Sequence, residues 1–420
     1  MGNTQIIIPL ALMAFFLNHA SRAVGMNLSI ADIFLCITVI LLAISSDLYI
    51  PKFSFIFVMF LLVTVLVTSM IFTPIQFGVQ PQFGSMIGGL IKIIVAFLYF
   101  IVGASVSRLN LHRVILKWYS IGAVSIAAIG IFISMLGLSV FKDVLFYSGL
   151  RFRGFMNDPN FYSTLACAGI AYFAFNSSIN KIVKWGAISV LAFSVLLAGS
   201  KTGLIILAVL VLLITLTKAL RSKNFIPLGI LVILFLLAFP FLSSIRTYLL
   251  NLTLSNKDRF PQLERISVLL SDDPLNALSG DGSTREDSWQ HGISIIKESP
   301  IFGVGIGTYT DVNKVLNSSH ILAHNSYIQI AAESGIILTV VLFTSIGFLL
   351  FASVKSGSAR FEDQDIDTVR VMVMVFLVGS LSLSLNNARM FWVFLGILSY
   401  LIATNSRLKS PNKQISSKST

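Results

Sequence analysis

The chain has 420 residues, of which 55% are hydrophobic and only 11% charged, with a mean hydropathy of +0.87 and a formal net charge of +12. Soluble domains carry about 25% charged residues, so this composition excludes a soluble globular enzyme and indicates an all-α polytopic membrane protein. In such a chain the positive excess reports topology, and no nucleic-acid partner is expected.

The opening stretch "MGNTQIIIPLALMAFF" has no basic n-region and no small-residue cleavage site, so it reads as a first span and not a signal peptide. It also lacks the Ser or Thr that a myristoylation signal wants at position six. Apolar runs long enough to cross about 30 Å of hydrocarbon fall near 5–19, 28–45, 54–73, 84–106, 114–138, 158–176, 182–199, 202–217, 224–243, 327–354, 369–386 and 390–404. They predict about twelve transmembrane helices. Cys36 and Cys167 lie inside such runs and are expected to be small core residues, not a disulfide.

With the N-terminus in the cytoplasm, the inner loops hold Lys52, Arg108, Arg113, Lys181, Lys184, Lys218, Arg221, Lys223, Lys355, Arg360 and Arg370, and the tail adds four more cations. The short outer loops hold only Arg22, Lys142, Arg151, Arg153, Lys201 and Arg389. Positive residues favour the inside, so both termini are expected in the cytoplasm. The expected organisation is N-terminal helices over 1–150, central helices over 151–243, one large outer-face loop at 244–326, C-terminal helices over 327–404, and a tail at 405–420. Within the loop, "DRFPQLERISVLL" places Phe260, Leu263, Ile266 and Leu270 on one helical face. In "GSTREDSWQHGISIIKESP", Ser283 and Glu286 have capping-box spacing and Pro300 marks a stop.

The cations that oppose the topological preference are the informative ones. Arg151 and Arg153 precede the sixth span in "GLRFRGFMNDPNFYS", with Asn160 just after Pro159. Lys201 sits in the tight hairpin "AGSKTGL", Arg389 at the last outer turn, and Arg285 opens the second loop helix. Lys92 lies about eight residues, or roughly 12 Å, inside the fourth span. Each alone reads as snorkelling or headgroup contact. Together they suggest a polyanion at the outer leaflet, and arginine forks suit phosphate oxygens, so a lipid-linked diphosphate is the natural ligand.

The stretch "ILAHNSYIQIAAESG" then begins an apolar span with polar groups. Asn325 or Ser326 is the expected cap, and Ser326, Gln329 and Glu333 follow at spacings of three and four, forming one polar stripe. A seam between helices is the plain reading. The functional one makes His324 a general base, or the group that positions a sugar hydroxyl, with Glu333 orienting it or pairing with a buried cation. The stripe would then line a cavity instead of facing lipid. "SDDP" at 271–274 and "GDG" at 280–282 read as surface loop, not as a metal site. "GVGIG" at 303–307 lacks a surrounding strand–helix unit, so its glycines are expected to permit a tight approach.

Taken in order, "RFRGFMNDPNFYS", "GSKTGL", "STREDSWQHGISIIKESPIFGVGIGTY" and "AHNSYIQIAAESGI" resemble the O-antigen ligase and polymerase family over about 150–340. The resemblance implies a glycosyltransferase of the bacterial inner membrane, active on the outer face. Its donor would be a polyprenyl-diphosphate-linked glycan and its acceptor a second glycan, without cofactor or metal. A chain-length regulator is an expected further partner. The family's arginine before the "G…PN" element falls on Arg153, with Arg151 beside it. Its loop arginine falls on Arg285, and its His-Asn pair on His324 and Asn325. Where the family often has Ser-Arg-Gly, this chain has Ser200, Lys201 and Thr202, which keeps the charge but not the bidentate fork.

The expected site is therefore His324 and Glu333 as catalytic groups, with Arg151, Arg153, Lys201, Arg285, Lys92 and Arg389 on the diphosphate and Asn160, Asn325 and Gln329 in support. Polymerisation is favoured over ligation to a terminal acceptor on base rates alone. A multi-pass transporter or flippase is the alternative of another class; its polar groups would sit at the midplane on pseudo-symmetric helices.

Overall fold

A computed structural model describes residues 4–19, 21–23, 26–138, 141–238, 242–255, 284–355, 362–384 and 388–408. The fold is helical, with two short hairpins. In chain order the elements are α1 (Thr4–Phe16), β1 (Ser21–Ala23), β2 (Met26–Leu28), α2 (Ile30–Ile44), α3 (Lys52–Val67), a π-helix (Thr68–Phe72), α4 (Thr73–Phe77), α5 (Phe83–Arg108), α6 (His112–Leu136), α7 (Lys142–Leu145), β3 (Phe146–Tyr147), β4 (Arg151–Phe152), α8 (Pro159–Phe175), α9 (Lys181–Leu197), α10 (Lys201–Ser222), α11 (Ile226–Ala238) and α12 (Leu242–Ser255). After the undescribed 256–283 come α13 (Thr284–Glu298), α14 (Tyr309–Asn317), α15 (Ser326–Lys355), α16 (Glu362–Gly379) and α17 (Arg389–Leu408).

Each of the twelve apolar runs overlaps a helix, and among the described residues five helices are long and apolar enough to cross a bilayer: Lys52–Phe77, Phe83–Arg108, His112–Leu136, Lys201–Ser222 and Ser326–Lys355. Gln5–Phe16, Ile30–Ile44 and Arg389–Asn405 are apolar but shorter. The run expected at 369–386 folds as α16, which ends at Gly379, because residues 380–384 turn to meet α15. Within the expected outer loop lie most of α12 and the whole of α13 and α14, while "DRFPQLERISVLL", "SDDP" and "GDG" lie outside the described residues. Cys167 is buried as expected, but Cys36 is exposed on the outer surface of α2, beside the exposed Ile33, Ile37 and Ile40. Such an apolar face suits lipid.

The main core joins α1, α2, α5, α6, α8, α9, α10, α16 and α17. Its closest seam is α5 against α17. A Cβ on Gly103 would overlap the Val393 carbonyl, and one on Gly396 the Phe100 carbonyl, so only glycine permits this backbone-to-backbone approach. At one end of the bundle, Asp365 binds His112 (3.2 Å) and Arg113 (2.7 Å), and Asp367 binds Arg370 (2.6 Å) and Arg221 (3.2 Å). At the other end stands a knot centred on Asp32. It closes the capping box of α2 by accepting from the Ser29 amide at 2.9 Å. The same carboxylate takes Arg389 through Nε (2.6 Å) and Nη2 (2.7 Å), and the Tyr99 hydroxyl at 2.9 Å.

Removing one partner of a largely desolvated, bidentate pair strands the other charge. Arg389→Ala is expected to destabilise the protein by about 3 kcal/mol, and adding Asp32→Asn to recover part of that. Thermal unfolding in detergent, run as a double-mutant cycle, checks it; additive losses would show that the pair is not coupled.

Candidate functional site

The site is built where the start of α15 meets the turn at 380–384. Asn325 is the cap: its Oδ1 accepts from the amides of Tyr327 (2.9 Å) and Ile328 (3.1 Å), satisfying helix-end donors that lipid cannot. Its Nδ2 donates to the Leu381 carbonyl at 3.0 Å. Ser326 donates through its amide to the Ser380 carbonyl (2.9 Å) and through Oγ to the Leu383 carbonyl (2.7 Å). One residue earlier, His324 holds a left-handed backbone, φ 47°, and is exposed. Desolvation of its ring, then the Arg285 guanidinium, lower its pKa from the ordinary imidazole value, with Asp158 acting in the opposite sense. Arg285 and Asp158 thus both act electrostatically on His324.

Asp158 belongs to a second polar assembly at the starts of α8 and α10. It caps α8, accepting from the amides of Asn160 (2.7 Å) and Phe161 (3.1 Å). Asn160 Oδ1 in turn accepts from Arg151 Nη2 at 3.1 Å and Ser200 Oγ at 2.7 Å. Arg151 Nε donates to the Ala198 carbonyl at 3.1 Å. Ser200 caps α10, whose first residue is Lys201, and Thr202 accepts a hydrogen bond from Ser382 at 3.2 Å. That bond ties this assembly to the same 380–384 turn that seats Asn325 and Ser326.

Three residues expected on the diphosphate are engaged elsewhere: Arg153 and Arg389 by their hydrogen bonds, and Lys92 in the wall of a separate chamber. Arg153 is turned onto the α7 segment, donating to the carbonyls of Asp143 (3.0 Å) and Val144 (3.3 Å). Arg389 has both donors of its fork committed to Asp32.

Glu333, Gln329 and Lys92 line a chamber of about 1280 Å³ between α3, α5, α15 and α17. Its wall is mostly apolar, including Phe57, Leu61, Ile93 and Trp392, with a polar band. In that band Gln329 Nε2 donates to Glu333 at 2.9 Å, and Ser384 Oγ donates to Gln329 Oε1 at 2.8 Å. The hydrogen bonds of Glu333 thus run to Gln329 and onward to Ser384, not to His324.

The chamber is closed on one side by an unusual packing of backbone. At Gly335, φ 81°, α15 leaves helical geometry, and the chain from Pro300 to Gly307 lies across this break. Ile336 N donates to the Pro300 carbonyl (2.8 Å), Val304 N to the Ala332 carbonyl (2.8 Å) and Gly305 N to the Glu333 carbonyl (2.9 Å). The far side of the strip is held by Ser69 Oγ on the Ile306 carbonyl (2.9 Å) and Thr73 Oγ1 on the Val304 carbonyl (2.6 Å), from the π-helix and α4. Gly303, Gly305 and Gly307 all have positive φ and press on neighbouring backbone, so the glycines of "GVGIG" serve close approach, as their context in the sequence predicts.

Sequence reasoning did not find Ser384 or Ser382, which come to the site from turns some 55 and 180 residues from their partners. Asp158 is legible in the sequence as an acid near the outer-face cations, and its place before Pro159 is the usual cap-then-proline start of a helix.

Fold and site together define a multi-pass helical membrane protein with a polar site at the ends of several helices. Residues 186–343 are similar to the family model Wzy_C, described as O-antigen ligase. The match includes Lys201, Arg285, His324, Asn325, Gln329 and Glu333, and stops short of Arg151 and Asn160. No curated protein matches the chain.

Gly335→Ala would put a Cβ against the Ile301 carbonyl at a left-handed φ. The expected result is a loss of more than about 1 kcal/mol and new proteolytic cleavage between 300 and 307. Limited proteolysis with mass spectrometry reads it directly; an unchanged cleavage map would mean that the strip tolerates release from α15.

Proposed function

We propose that this protein polymerises polyprenyl-diphosphate-linked oligosaccharide repeats into a cell-surface polysaccharide, at the outer face of a bacterial plasma membrane. In this reading the chain crosses the membrane about twelve times, its shorter apolar helices included, with both termini inside. The observation that carries the reading is the convergence of Arg285, His324 and Asp158 with the hydrogen-bonded Arg151–Asn160–Ser200 assembly and Lys201, through one turn. Three cations against one carboxylate leave a net positive site, matched to a diphosphate.

In the single displacement this implies, the hydroxyl oxygen of the acceptor sugar attacks the anomeric carbon of the donor. The C–O bond to the diphosphate breaks, and its electron pair leaves with the phosphate. Arg285, Arg151 and Lys201 hold that group and stabilise its growing charge. His324 takes the hydroxyl proton, and its lowered pKa keeps it neutral and ready to do so at pH 7. Because diphosphate is already a good leaving group, positioning and charge stabilisation suffice, and no metal has a role. Ligation onto a terminal acceptor is the second reading, favoured by the description of the matching family model.

Two tests follow. His324→Ala and Arg285→Ala are expected to lower transfer by at least about 100-fold while the protein still inserts. On gels of lipid-linked and surface glycan, single repeats indicate lost polymerisation, and long lipid-linked polymer that never reaches its anchor indicates lost ligation. An unchanged ladder in both variants sinks the site. The second test is the pH profile. Activity should fall on the acid side as His324 protonates, with an apparent pKa below the ordinary histidine value. Asp158→Asn keeps the helix cap and removes a charge that favours imidazolium, so the acid limb should move to lower pH. Movement to higher pH, or none, would remove His324 from the role of base.

A further inference from the structure

The chamber differs from the cationic site in its balance of charge: among the described residues its lining holds one carboxylate and one ammonium, Glu333 and Lys92, and no arginine. Glu333 and Lys92 carry opposite formal charges that cancel, so the polar band is not the net-positive surface found around Arg285. The cation-rich group around Arg285 and His324 does not line this chamber. Charge therefore divides the molecule into two half-sites on either side of the first turns of α15. One is net positive, and the other pairs a carboxylate, an amide and hydroxyls with a large apolar volume.

A carboxylate and an amide side by side, with Ser384 and Tyr309 nearby, is the chemistry that recognises vicinal hydroxyls of a neutral sugar. Tyr309 is buried, lines the chamber and feels the charge of Glu333, and its hydroxyl has no hydrogen-bond partner among the described residues. The remaining wall, with Phe53, Phe57, Val58 and Leu61 from α3, is apolar and suits a hydrocarbon chain. A ligand that uses both parts is an amphiphile with its sugar at the level of Glu333 and its tail along α3.

We propose that this chamber is the acceptor half-site, and that Glu333 and Gln329 fix the acceptor sugar by hydrogen bonds to its hydroxyls, with the acceptor itself lipid-linked. This rests on the glycosyltransferase reading above and assigns that reaction its second substrate. Glu333 contacts the acceptor as a specificity determinant, while His324 remains the base. A site built to hydrogen-bond a hydroxyl discriminates strongly, because its buried polar groups are left unpaired by any ligand lacking one.

The test uses the full-length protein in lipid nanodiscs. The lipid-linked oligosaccharide extracted from a strain lacking the protein serves as substrate, and a fluorescent polyprenyl diphosphate without glycan serves as a probe of the cationic half. In Glu333→Gln and Gln329→Ala, the concentration for half-maximal transfer should rise by about tenfold or more, as expected for losing a charge-assisted hydrogen bond, or transfer should vanish. Probe binding should stay within about twofold of the parent. Arg285→Ala should show the reverse, with weakened probe binding. Lys92→Ala, which leaves the Glu333–Gln329 bond in place, guards against a variant that merely fails to fold, and should change half-saturation less than Glu333→Gln. Unchanged half-saturation in Glu333→Gln would overturn the proposal, as would a parallel loss of probe binding. If the parent protein binds the probe but transfers nothing, it is the glycosyltransferase reading that fails.

Discussion

A chain that leaves helical geometry inside a membrane must find a partner for every amide it frees, since hydrocarbon offers none. The strip from Pro300 to Gly307 and the break at Gly335 solve this for each other. The strip donates to the carbonyls of Ala332 and Glu333, the broken helix donates back through Ile336, and Ser69 and Thr73 donate to the carbonyls of Ile306 and Val304. What this arrangement holds in place is the second turn of α15, and with it the side chains of Gln329 and Glu333. The position of the chamber, its polar band and the separation of that band from His324 all follow from one mutual satisfaction of backbone groups.

The same logic explains why the site gathers at helix starts. Asn325, Asp158 and Ser200 each cap a helix, and each cap residue or its neighbour also carries a functional group or supports one. A cap must sit at a fixed place relative to its helix, so groups attached to caps inherit that rigidity. His324 carries a left-handed backbone directly before such a cap.

Much of the helical plan was legible because apolar runs and charges obey simple rules in a membrane. The runs predicted the helices, and the loop cations Arg113 and Arg221, with Arg370, do meet at one end of the bundle on Asp365 and Asp367. The length of each helix was less legible, since α16 stops early to release a turn that α15 and α10 both require. Among site residues, His324 with Asn325 and the Gln329–Glu333 stripe could be read from local spacing. The division of labour among cations could not. Arg151, Arg153, Arg285 and Arg389 look alike in one dimension, and only the fold reveals that Arg153 bonds carbonyls of α7, Arg389 the carboxylate of Asp32, and Arg151 the Ala198 carbonyl and Asn160.

The knot at Asp32 carries a consequence for how the molecule is made. Its arginine is encoded 357 residues downstream. At about 5–20 residues per second, α2 therefore waits roughly 20–70 s with its carboxylate held only by Ser29 and, later, Tyr99. Throughout that interval a charge stands at the edge of the bilayer without its counter-ion. The Asp32–Arg389 pair can form only once the last helix has been made, so this contact is among the last events of the chain's synthesis and folding.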